Sequence, residues 1–251
     1  MTGRLSHKSL YEQVAQDATE HYTMLAPLRR LHETIRMCLS LPATKTIDIG
    51  CGDGTLLWSV SEQLGTQGTG VDLSETRLRQ AKRKGIANTA CADAIELPFR
   101  SDTFDLCTCT EVLEHLERPE VAISEIHRIL KKSGRLVLAV PVVGWYRLLE
   151  AKLTGDLRFL NEIEHLREYA PIDVDRCVTT MELQSQLEAA GFRVLTKQGV
   201  YFHPRGERFW NAVFGDRSPL FRLGDWLDHQ VGSQPRLADW GRYVLLECIK
   251  V

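Results

Sequence analysis

The stretch from Thr46 to Leu56 constrains the fold of this chain more than any other. Its sequence, Thr-Ile-Asp-Ile-Gly-Cys-Gly-Asp-Gly-Thr-Leu, predicts a short β-branched strand, a tight turn and the start of a helix. Three glycines within five residues allow a sharp turn and let a ligand approach the backbone closely. The first turn of the helix, from about Asp53, would direct unpaired N–H groups at an anionic group. The stretch therefore predicts a site for a nucleotide-like cofactor.

Strand-like and helix-like segments alternate along the chain as far as residue 140. The patterning predicts helices over residues 28–39, 53–64, 74–85 and 119–134, and strands over residues 46–49, 68–72, 86–91, 104–110 and 135–140. The strands are too apolar for one face of the sheet to be solvated, which favours a parallel sheet with helices on both faces. Such sheets bind ligands outside the carboxyl ends of their strands.

Beyond Pro141 the chain changes in character, because fourteen of its nineteen aromatic residues lie after position 140. A helix over residues 180–190 and strands over 192–203 and 242–251 complete the predicted sheet. No repeat, low-complexity tract or linker divides the chain, so we predict a single domain. Its predicted core comprises residues 40–140, 180–203 and 242–251, and its cap or insertion segments comprise residues 1–40, 141–179 and 204–241.

Composition and charge exclude several classes of protein. The 251 residues are 43% hydrophobic and 25% charged, with a net charge of −2, so nucleic acid is not an expected partner. The basic run 82–84 is predicted to be a solvated helix end. Residues 1–10 contain no secretory signal, and the longest apolar run, 136–146, is too short for a transmembrane helix. The seven cysteines form no Cys-x-x-Cys pair, which favours reduced thiols and a cytoplasmic location.

Asp48 discriminates between the nucleotide-like cofactors. A dinucleotide-binding turn needs a third glycine where Thr55 or Leu56 stands, so a nicotinamide-dependent dehydrogenase is the least favoured interpretation. A carboxylate close to the glycines would repel a pyrophosphate but attract an ammonium or sulfonium group. S-adenosylmethionine satisfies both requirements, since its α-ammonium can face Asp48 and its carboxylate can face the N-terminus of the helix.

Two further carboxylates follow predicted strands. Asp72 ends the second strand, at the distance from Gly52 that is typical of a ribose-binding acid. Asp93 follows the third strand and is placed to accept a hydrogen bond from an adenine amino group. Each residue alone is equally well explained as a surface or capping carboxylate. Together with Asp48, however, they stand at three successive strand ends, which favours a cofactor site.

Five segments within roughly residues 45–140 carry a family resemblance. They are Asp48 to Gly54, Val71 to Ser74, Ala92 to Ala94 with the Leu97-Pro98-Phe99 and Phe104-Asp105 that follow, Glu111 to Leu116, and Ile129 to Gly134. With them the chain resembles class I S-adenosylmethionine-dependent methyltransferases, of the small-molecule group that includes quinone-biosynthesis methyltransferases. The resemblance implies an α/β fold with a Rossmann-like, mostly parallel seven-stranded sheet. It implies that the last strand, 242–251, lies antiparallel beside the fifth, with helical and aromatic insertions after strands five and six.

The resemblance also implies roles for individual residues. Those expected to bind the cofactor are Asp48, Gly50, Cys51 and Gly52 for the methionine part, Asp72 and Leu73 for the ribose, Asp93 and Ala94 for the adenine edge, and Thr110 and Glu111 for the fourth side. This interpretation makes the chain an enzyme that transfers a methyl group by in-line displacement. A protein that binds the cofactor without transfer, acting as a partner or regulatory subunit, and a methyltransferase acting on RNA or protein remain alternatives.

The sequence leaves the catalytic chemistry open. His115 and His165 are candidate general bases, although a structural role for His115 and a surface helix position for His165 are the favoured interpretations. Some relatives with a similar acidic segment bind a divalent metal, and Glu111, Glu114, His115 and His165 would be the ligands here. The preferred prediction has no metal, because the same segment occurs in relatives in which none is expected.

Aromatic segments beyond residue 140 are the candidate walls of an acceptor site. Residues 144–149 and 208–214 are rich in tryptophan, phenylalanine and leucine, which suits a small hydrophobic or aromatic acceptor. The same segments could instead pack as a cap, form the face of a homodimer, or make shallow contact with a membrane. The predicted partner is therefore a small-molecule acceptor, with either a monomer or a homodimer as the assembly.

Overall fold

The computed structural model describes residues 25–142, 179–200, 230–234, 237–241 and 243–251. The principal helices are α1 (Leu25–Leu39), α2 (Thr55–Leu64), α3 (Glu75–Arg83), α4 (Pro119–Ile129) and α5 (Thr180–Ala189), with 3₁₀ turns at Leu113–His115 and Ala238–Trp240. The strands are β1 (Lys45–Ile49), β2 (Gln67–Asp72), β3 (Asn88–Cys91), β4 (Phe104–Thr110), β5 (Leu130–Pro141), β6 (Phe192–Val200) and β7 (Tyr243–Lys250). Elements therefore alternate along the chain as predicted.

The strands form one seven-stranded sheet in the order β3-β2-β1-β4-β5-β7-β6. Strands β1 to β5 are parallel, whereas β7 is antiparallel to both β5 and β6. The predicted mostly parallel sheet with an antiparallel last strand is thus confirmed. The strand order reverses between β1 and β4, and in open α/β sheets such a switch point is where ligands bind.

Alternate residues of the central strands face opposite helical layers. Leu136 and Leu138 of β5 are buried with residues of α4 and α5, whereas Val137 and Ala139 are buried with residues of α1 and α2. All four side chains are at most 1% exposed. The sheet is therefore covered on both faces, which explains why its strands lack the polar alternation of a half-solvated sheet.

Several element boundaries differ from the prediction, and two of these differences concern glycines. The helix α2 begins at Thr55 rather than at Asp53, because Gly54 has a left-handed conformation with φ 78°. The helix α4 ends at Ile129 rather than at Gly134, because β5 already begins at Leu130. Residues between Leu130 and Arg135 form an irregularity where the register with β4 shifts. A glycine was therefore a misleading end signal for this helix.

The buried cysteines behave as small core residues. Cys107 and Cys109 on β4 are fully buried, as their alternation along the strand predicts. Burial raises the pKa of both thiols well above its ordinary value, so these thiols stay protonated. The six cysteines in the described part of the chain are free thiols, and Cys177 lies outside it.

Several predictions concern residues that the structure does not describe. The aromatic segments 144–149 and 208–214 and His165 lie outside the described ranges, so their expected roles stay predictions. Where residues are described, no helix combines the length and apolar character needed to cross a membrane.

Candidate active site

The predicted glycine turn follows β1 and leads into α2. Gly50, Gly52 and Gly54 have positive φ angles of 71°, 55° and 78°, a conformation that residues with a Cβ rarely adopt. A Cβ at Gly50 would also collide with the side chain of Val112, and one at Gly54 would lie 3.0 Å from the Cβ of Ala81. The turn therefore needs glycine both for its backbone conformation and for its close packing.

Asp72, the last residue of β2, fastens this turn to the neighbouring strand. Its Oδ2 accepts a hydrogen bond of 2.8 Å from the backbone N–H of Gly52, and its Oδ1 accepts one of 2.8 Å from that of Ser74. A carboxylate has about four acceptor positions, so both oxygens can also accept hydrogen bonds from a diol. Asp72 thus combines an anchoring role that the sequence did not indicate with the geometry that a ribose site requires.

Asp48 lies beneath the turn and is buried. Its side chain is only 2% exposed, and its Oδ1 accepts a hydrogen bond of 2.7 Å from Thr108 Oγ1 on β4. Burial raises the pKa of the Asp48 carboxyl to about 7, with the hydrogen bond from Thr108 opposing this and the charge of Asp72 adding to it. In the ligand-free protein the group therefore titrates near neutral pH, and a neighbouring cation would favour its charged form.

Cys51 contributes to the turn through its backbone. Its N–H donates a hydrogen bond of 2.8 Å to the carbonyl oxygen of Val71. Its side chain is buried against Gly70, where a Cβ would lie only 2.7 Å from the Cys51 Sγ. A role for Cys51 in binding a cofactor thus rests on its backbone rather than on its thiol.

The residues predicted for the adenine edge follow β3. Asp93 lies two residues beyond this strand, and its Oδ1 accepts a hydrogen bond of 3.2 Å from the N–H of Ile95. Ala94 is 7% exposed and belongs to the core below. The local hydrogen bond shapes the turn and leaves the other oxygen of Asp93 for a further donor.

Strand pairing brings the predicted carboxylates to one edge of the sheet. β2 and β3 are in register so that Asp72 pairs with Cys91, and the Sγ of Cys91 donates to the carbonyl oxygen of Leu73 at 3.4 Å. Because β1, β2 and β3 are adjacent and parallel, Asp48, Asp72 and Asp93 stand at neighbouring carboxyl ends. This is the arrangement that the sequence predicts for a nucleoside-containing cofactor.

Comparison with known proteins identifies the part of the chain that carries this edge. Residues 47–138 match the family described as a methyltransferase domain. This segment is a methyltransferase domain. It contains the glycine turn and all three carboxylates, so the predicted class of enzyme, a methyltransferase, is confirmed.

Relatives and solved structures extend the similarity beyond the domain. The chain is 26% identical over 211 residues to the ubiquinone biosynthesis O-methyltransferase of Coxiella burnetii, covering 79% of this chain and 86% of the relative. A SAM-dependent methyltransferase from Thermotoga maritima has the same fold, with 20% identity, a TM-score of 0.64, and coverage of 98% and 100% of the two chains. So has the 1,6-didemethyltoxoflavin-N1-methyltransferase of Burkholderia thailandensis with bound 1,6-didemethyltoxoflavin and S-adenosylhomocysteine (18% identity, TM-score 0.60, coverage 97% and 87%).

Lys84 holds the glycine turn of the methyltransferase domain from the end of α3. Its Nζ donates to Asp53 Oδ2 at 2.7 Å and to Thr55 Oγ1 at 2.5 Å, while Asp53 Oδ1 also accepts from the N–H of Thr55. Although burial opposes ionisation, the hydrogen bonds from Lys84 and Thr55 hold the pKa of the Asp53 carboxyl below its ordinary value. The basic run that the sequence suggested to be a solvated helix end therefore includes a residue that positions the turn.

Replacing Lys84 with methionine is expected to weaken cofactor binding about two- to fivefold. The partly exposed ion pair with Asp53 stabilises the binding conformation of the turn by roughly 0.5–1 kcal/mol. Calorimetric titration with S-adenosylhomocysteine would measure the change. Lys131→Met is the matched control, since Lys131 forms a similar 2.6 Å ion pair with Asp105 at the other end of β4. Equal dissociation constants for the two variants would contradict a positioning role for Lys84.

The fourth side of the predicted site begins where β4 ends. Thr110 is the last residue of β4, and Glu111 follows it with a left-handed φ of 57° and an N–H bonded to the carbonyl oxygen of Ala139 at 2.9 Å. Arg30 of α1 forms an ion pair of 2.5 Å with Glu111 Oε2, and its guanidinium lies 5.0 Å from the ring centroid of Tyr243. The methyltransferase domain is thus joined at this point by the preceding helix and by the last strand.

Glu114 and His115 lie in the 3₁₀ turn just beyond. Glu114 is 3% exposed, and His115 Nε2 is 3.9 Å from Glu114 Oε1. Within the described ranges no three histidine, cysteine or acidic side chains form a group that could hold a metal ion, so Glu111, Glu114 and His115 form no such group among themselves. The fourth suggested ligand, His165, lies outside these ranges.

The sequence did not indicate three residues that organise this site. Thr108 is a polar residue within an otherwise buried strand, and a buried hydroxyl in that position signals a polar partner. Lys84 had a signal too, because Asp53 in the turn calls for a cation. Arg30 had none, since its partner Glu111 is remote along the chain.

Proposed function

We propose that this protein transfers a methyl group from S-adenosylmethionine to a small, hydrophobic or aromatic acceptor. The observation that supports the proposal most directly is the buried Asp48 carboxyl beneath a three-glycine turn of a methyltransferase domain. A buried carboxyl in this position suits an ammonium group and disfavours a pyrophosphate. The S-adenosylhomocysteine bound to the similar fold from Burkholderia thailandensis supports the same choice of cofactor.

The residues at the edge of the sheet fit the parts of this cofactor. Asp48 would face the α-ammonium, and the N–H groups at the start of α2 would face the carboxylate. Asp72 would accept the ribose hydroxyls beside Leu73, and Asp93 with Ala94 would hold the adenine edge. The remaining proposed contacts are Gly50, Cys51 and Gly52 under the methionine part and Thr110 with Glu111 on the fourth side.

When bound, S-adenosylmethionine supplies an activated methyl group on a sulfonium. The chain contributes position, because an in-line displacement requires the acceptor to lie opposite the departing sulfur, and holding two reactants in this alignment accounts for much of such catalysis. The three-glycine turn and Asp72 fix the donor side of that alignment through the 2.8 Å bond to Gly52.

The aromatic segments 144–149 and 208–214 are the proposed walls of the acceptor site. Of the similar proteins named above, one is named for ubiquinone biosynthesis and another holds 1,6-didemethyltoxoflavin, which favours a small acceptor for this chain also. One domain with the boundaries given above, a cytoplasmic location, and a monomer or homodimer complete the proposal.

Incubating the protein with methyl-labelled S-adenosylmethionine and cell extract tests the proposal. Label is expected in the organic-soluble fraction, because a small hydrophobic acceptor partitions there. An Asp72→Ala variant, whose cofactor site is impaired, should transfer much less label and serves as the control. Label in the protein or nucleic-acid fraction alone would contradict a small acceptor, and the absence of label from every fraction, despite measured cofactor binding, would favour a regulatory protein.

A further inference from the structure

The strand order indicates on which side of β1 the acceptor lies. The residues proposed for ribose and adenine follow β2 and β3, on one side of β1, whereas β4 and β5 lie on the other side. The methionine part of the donor would sit over β1 and its turn. The reacting methyl group must then face the ends of β4 and β5, so the side chains there are the ones nearest to the acceptor.

Glu111 is the first side chain beyond β4 on this side. Its left-handed backbone is unusual for a residue with a Cβ, and such strain persists only where the surroundings impose it. Here the N–H bonded to Ala139 and the ion pair with Arg30 hold the residue in place. Arg30 occupies Oε2, whereas Oε1 is buried and has no hydrogen-bond partner among the described residues. One oxygen is therefore positioned and the other is left for a ligand.

Glu114 is a second, independent sign of a binding site. Its side chain is 4% exposed, and neither carboxyl oxygen has a hydrogen-bond partner among the described residues. Unsatisfied buried oxygens are rare in folded proteins, and each calls for a donor or a proton. Burial, with the charge of Glu111 adding to it, raises the pKa of Glu114 well above its ordinary value, which favours the protonated carboxyl.

Among the described residues, the charged and titratable groups around this pair are few. Arg30 approaches from α1 and Tyr243 from β7, while His115 follows in the same 3₁₀ turn and Cys109 precedes on β4. With Glu114 protonated, one guanidinium faces one carboxylate, Glu111. The cluster is then balanced in charge, but Glu111 Oε1 still has no hydrogen-bond partner among the described residues, which points to a ligand that brings a donor to it.

We propose that Glu111 Oε1 accepts the hydrogen of an O–H or N–H nucleophile on the acceptor and takes its proton during methyl transfer. This inference rests on the proposed function. In the step, the acceptor oxygen or nitrogen forms a bond to the methyl carbon, and the carbon–sulfur bond breaks with its electron pair passing to sulfur. The product is a neutral thioether and a methylated acceptor, and the acceptor's proton resides on Glu111. Arg30 is a positioning residue that holds the other oxygen.

This role falls to Glu111 rather than to His115. The Nδ1 of His115 is buried, and its Nε2 lies 3.9 Å from Glu114, so the ring faces the second carboxyl. Exposure does not separate the two residues, since their side chains are 30% and 24% exposed, so the choice rests on the orientation of the ring and on the unpartnered Glu111 Oε1. The inference also selects between classes of acceptor, because a carbon nucleophile would bring no such hydrogen to Oε1.

Rates of label transfer into the organic-soluble cell extract test this role, with the extract as acceptor and S-adenosylmethionine saturating. Glu111→Gln keeps the shape of the side chain but cannot take a proton, and its rate should fall at least about 100-fold. Its affinity for S-adenosylhomocysteine, measured by calorimetry, should fall much less than its rate, because glutamine keeps a side-chain oxygen for the cofactor contact proposed for Glu111. Glu111→Asp should react at least tenfold faster than Glu111→Gln. Glu120→Gln, at an exposed position, is the matched control and should keep the rate of the unaltered protein.

The pH profile separates proton transfer from a structural role. The unaltered protein should lose rate at acidic pH if a carboxylate takes the acceptor's proton, and Glu111→Gln should lack this acidic limb. If Glu111→Gln fails to bind S-adenosylhomocysteine, the Glu111→Asp variant is the deciding test. Its pH–rate profile should keep the acidic limb, but at a shifted pH. A rate for Glu111→Gln within threefold of the unaltered one, a retained acidic limb, or a rate lost to chelator and restored by a divalent metal would overturn the inference. Absence of any label with the unaltered protein would instead contradict the proposed function itself.

Discussion

Replacing Asp72 with alanine is expected to weaken binding of S-adenosylhomocysteine by roughly 1–3 kcal/mol, or about fivefold to more than 100-fold. The change removes the acceptor for the ribose hydroxyls. It also removes the 2.8 Å bonds that tie Gly52 and Ser74 to the end of β2, so the glycine turn loses an anchor. Calorimetric titration measures the loss directly, and the unfolding temperature without ligand reports how much of it comes from the turn.

Asp105→Ala is the matched control for this change. Asp105 also accepts backbone hydrogen bonds, from Thr44 at 3.1 Å and Lys45 at 2.9 Å, but it stands at the beginning of β4, at the amino edge of the sheet. The Asp105→Ala variant should be less stable but should bind S-adenosylhomocysteine with unchanged affinity. An Asp72→Ala protein that binds S-adenosylhomocysteine as tightly as the Asp105→Ala protein would contradict the ribose role.

The cofactor side of the site could be predicted because its residues are local in sequence. The glycine turn and the carboxylate beneath it lie within one strand–turn–helix unit, and Asp72 and Asp93 each follow the next strand along the chain. In a parallel sheet, successive strand ends meet at one edge, so order along the chain maps onto order along the edge. The sequence pattern and the topology of a parallel sheet were therefore enough to predict the cofactor side of the site.

The acceptor side could not be predicted in the same way. The ion pair of Arg30 with Glu111 joins α1 to the end of β4, and Tyr243 reaches the same point from the last strand. No local pattern relates residues so distant along the chain. Nor does any propensity predict that a glutamate will take a left-handed backbone, because the packing of β4 against β5 imposes that conformation.

The same limit explains the errors at element boundaries. Gly134 resembled a helix end, but pairing of Leu130 with Phe104 starts β5 directly after α4. Tertiary pairing thus overrode a local signal. Lys84 was misjudged for a related reason, since a basic residue at a helix end is normally solvated unless, as here, an acidic turn folds back on it.

Binding of S-adenosylhomocysteine is expected to weaken about tenfold between pH 8 and pH 6 through protonation of Asp48. The pKa of the buried Asp48 is about 7 without ligand, whereas an ammonium group beside it would keep it charged. Below pH 7, binding must therefore release a proton, and the affinity falls as pH falls. S-adenosylhomocysteine suits the measurement because its ammonium is its only cationic group. Titrations in two buffers of different ionisation enthalpy would count the protons released, about one half per site at pH 7.

Asp48→Asn separates the charge from the fold, because the amide oxygen can still accept the hydrogen bond from Thr108. The affinity of this variant for S-adenosylhomocysteine should be weaker at pH 8 and should lack this pH dependence.

The stability of the ligand-free variant, by contrast, should be higher than that of the unaltered protein. Since the folded-state pKa of Asp48 is raised, its contribution to stability is present below the unfolded pKa and is lost as pH rises through about 7. The ligand-free variant should therefore be more stable at pH 8 by roughly 1–4 kcal/mol, measurable by chemical denaturation. If Asp48 had only a structural role, its replacement would lower both the stability of the protein and its affinity for S-adenosylhomocysteine. A variant that is more stable but binds the ligand more weakly identifies Asp48 as a charge held in the core for its ligand.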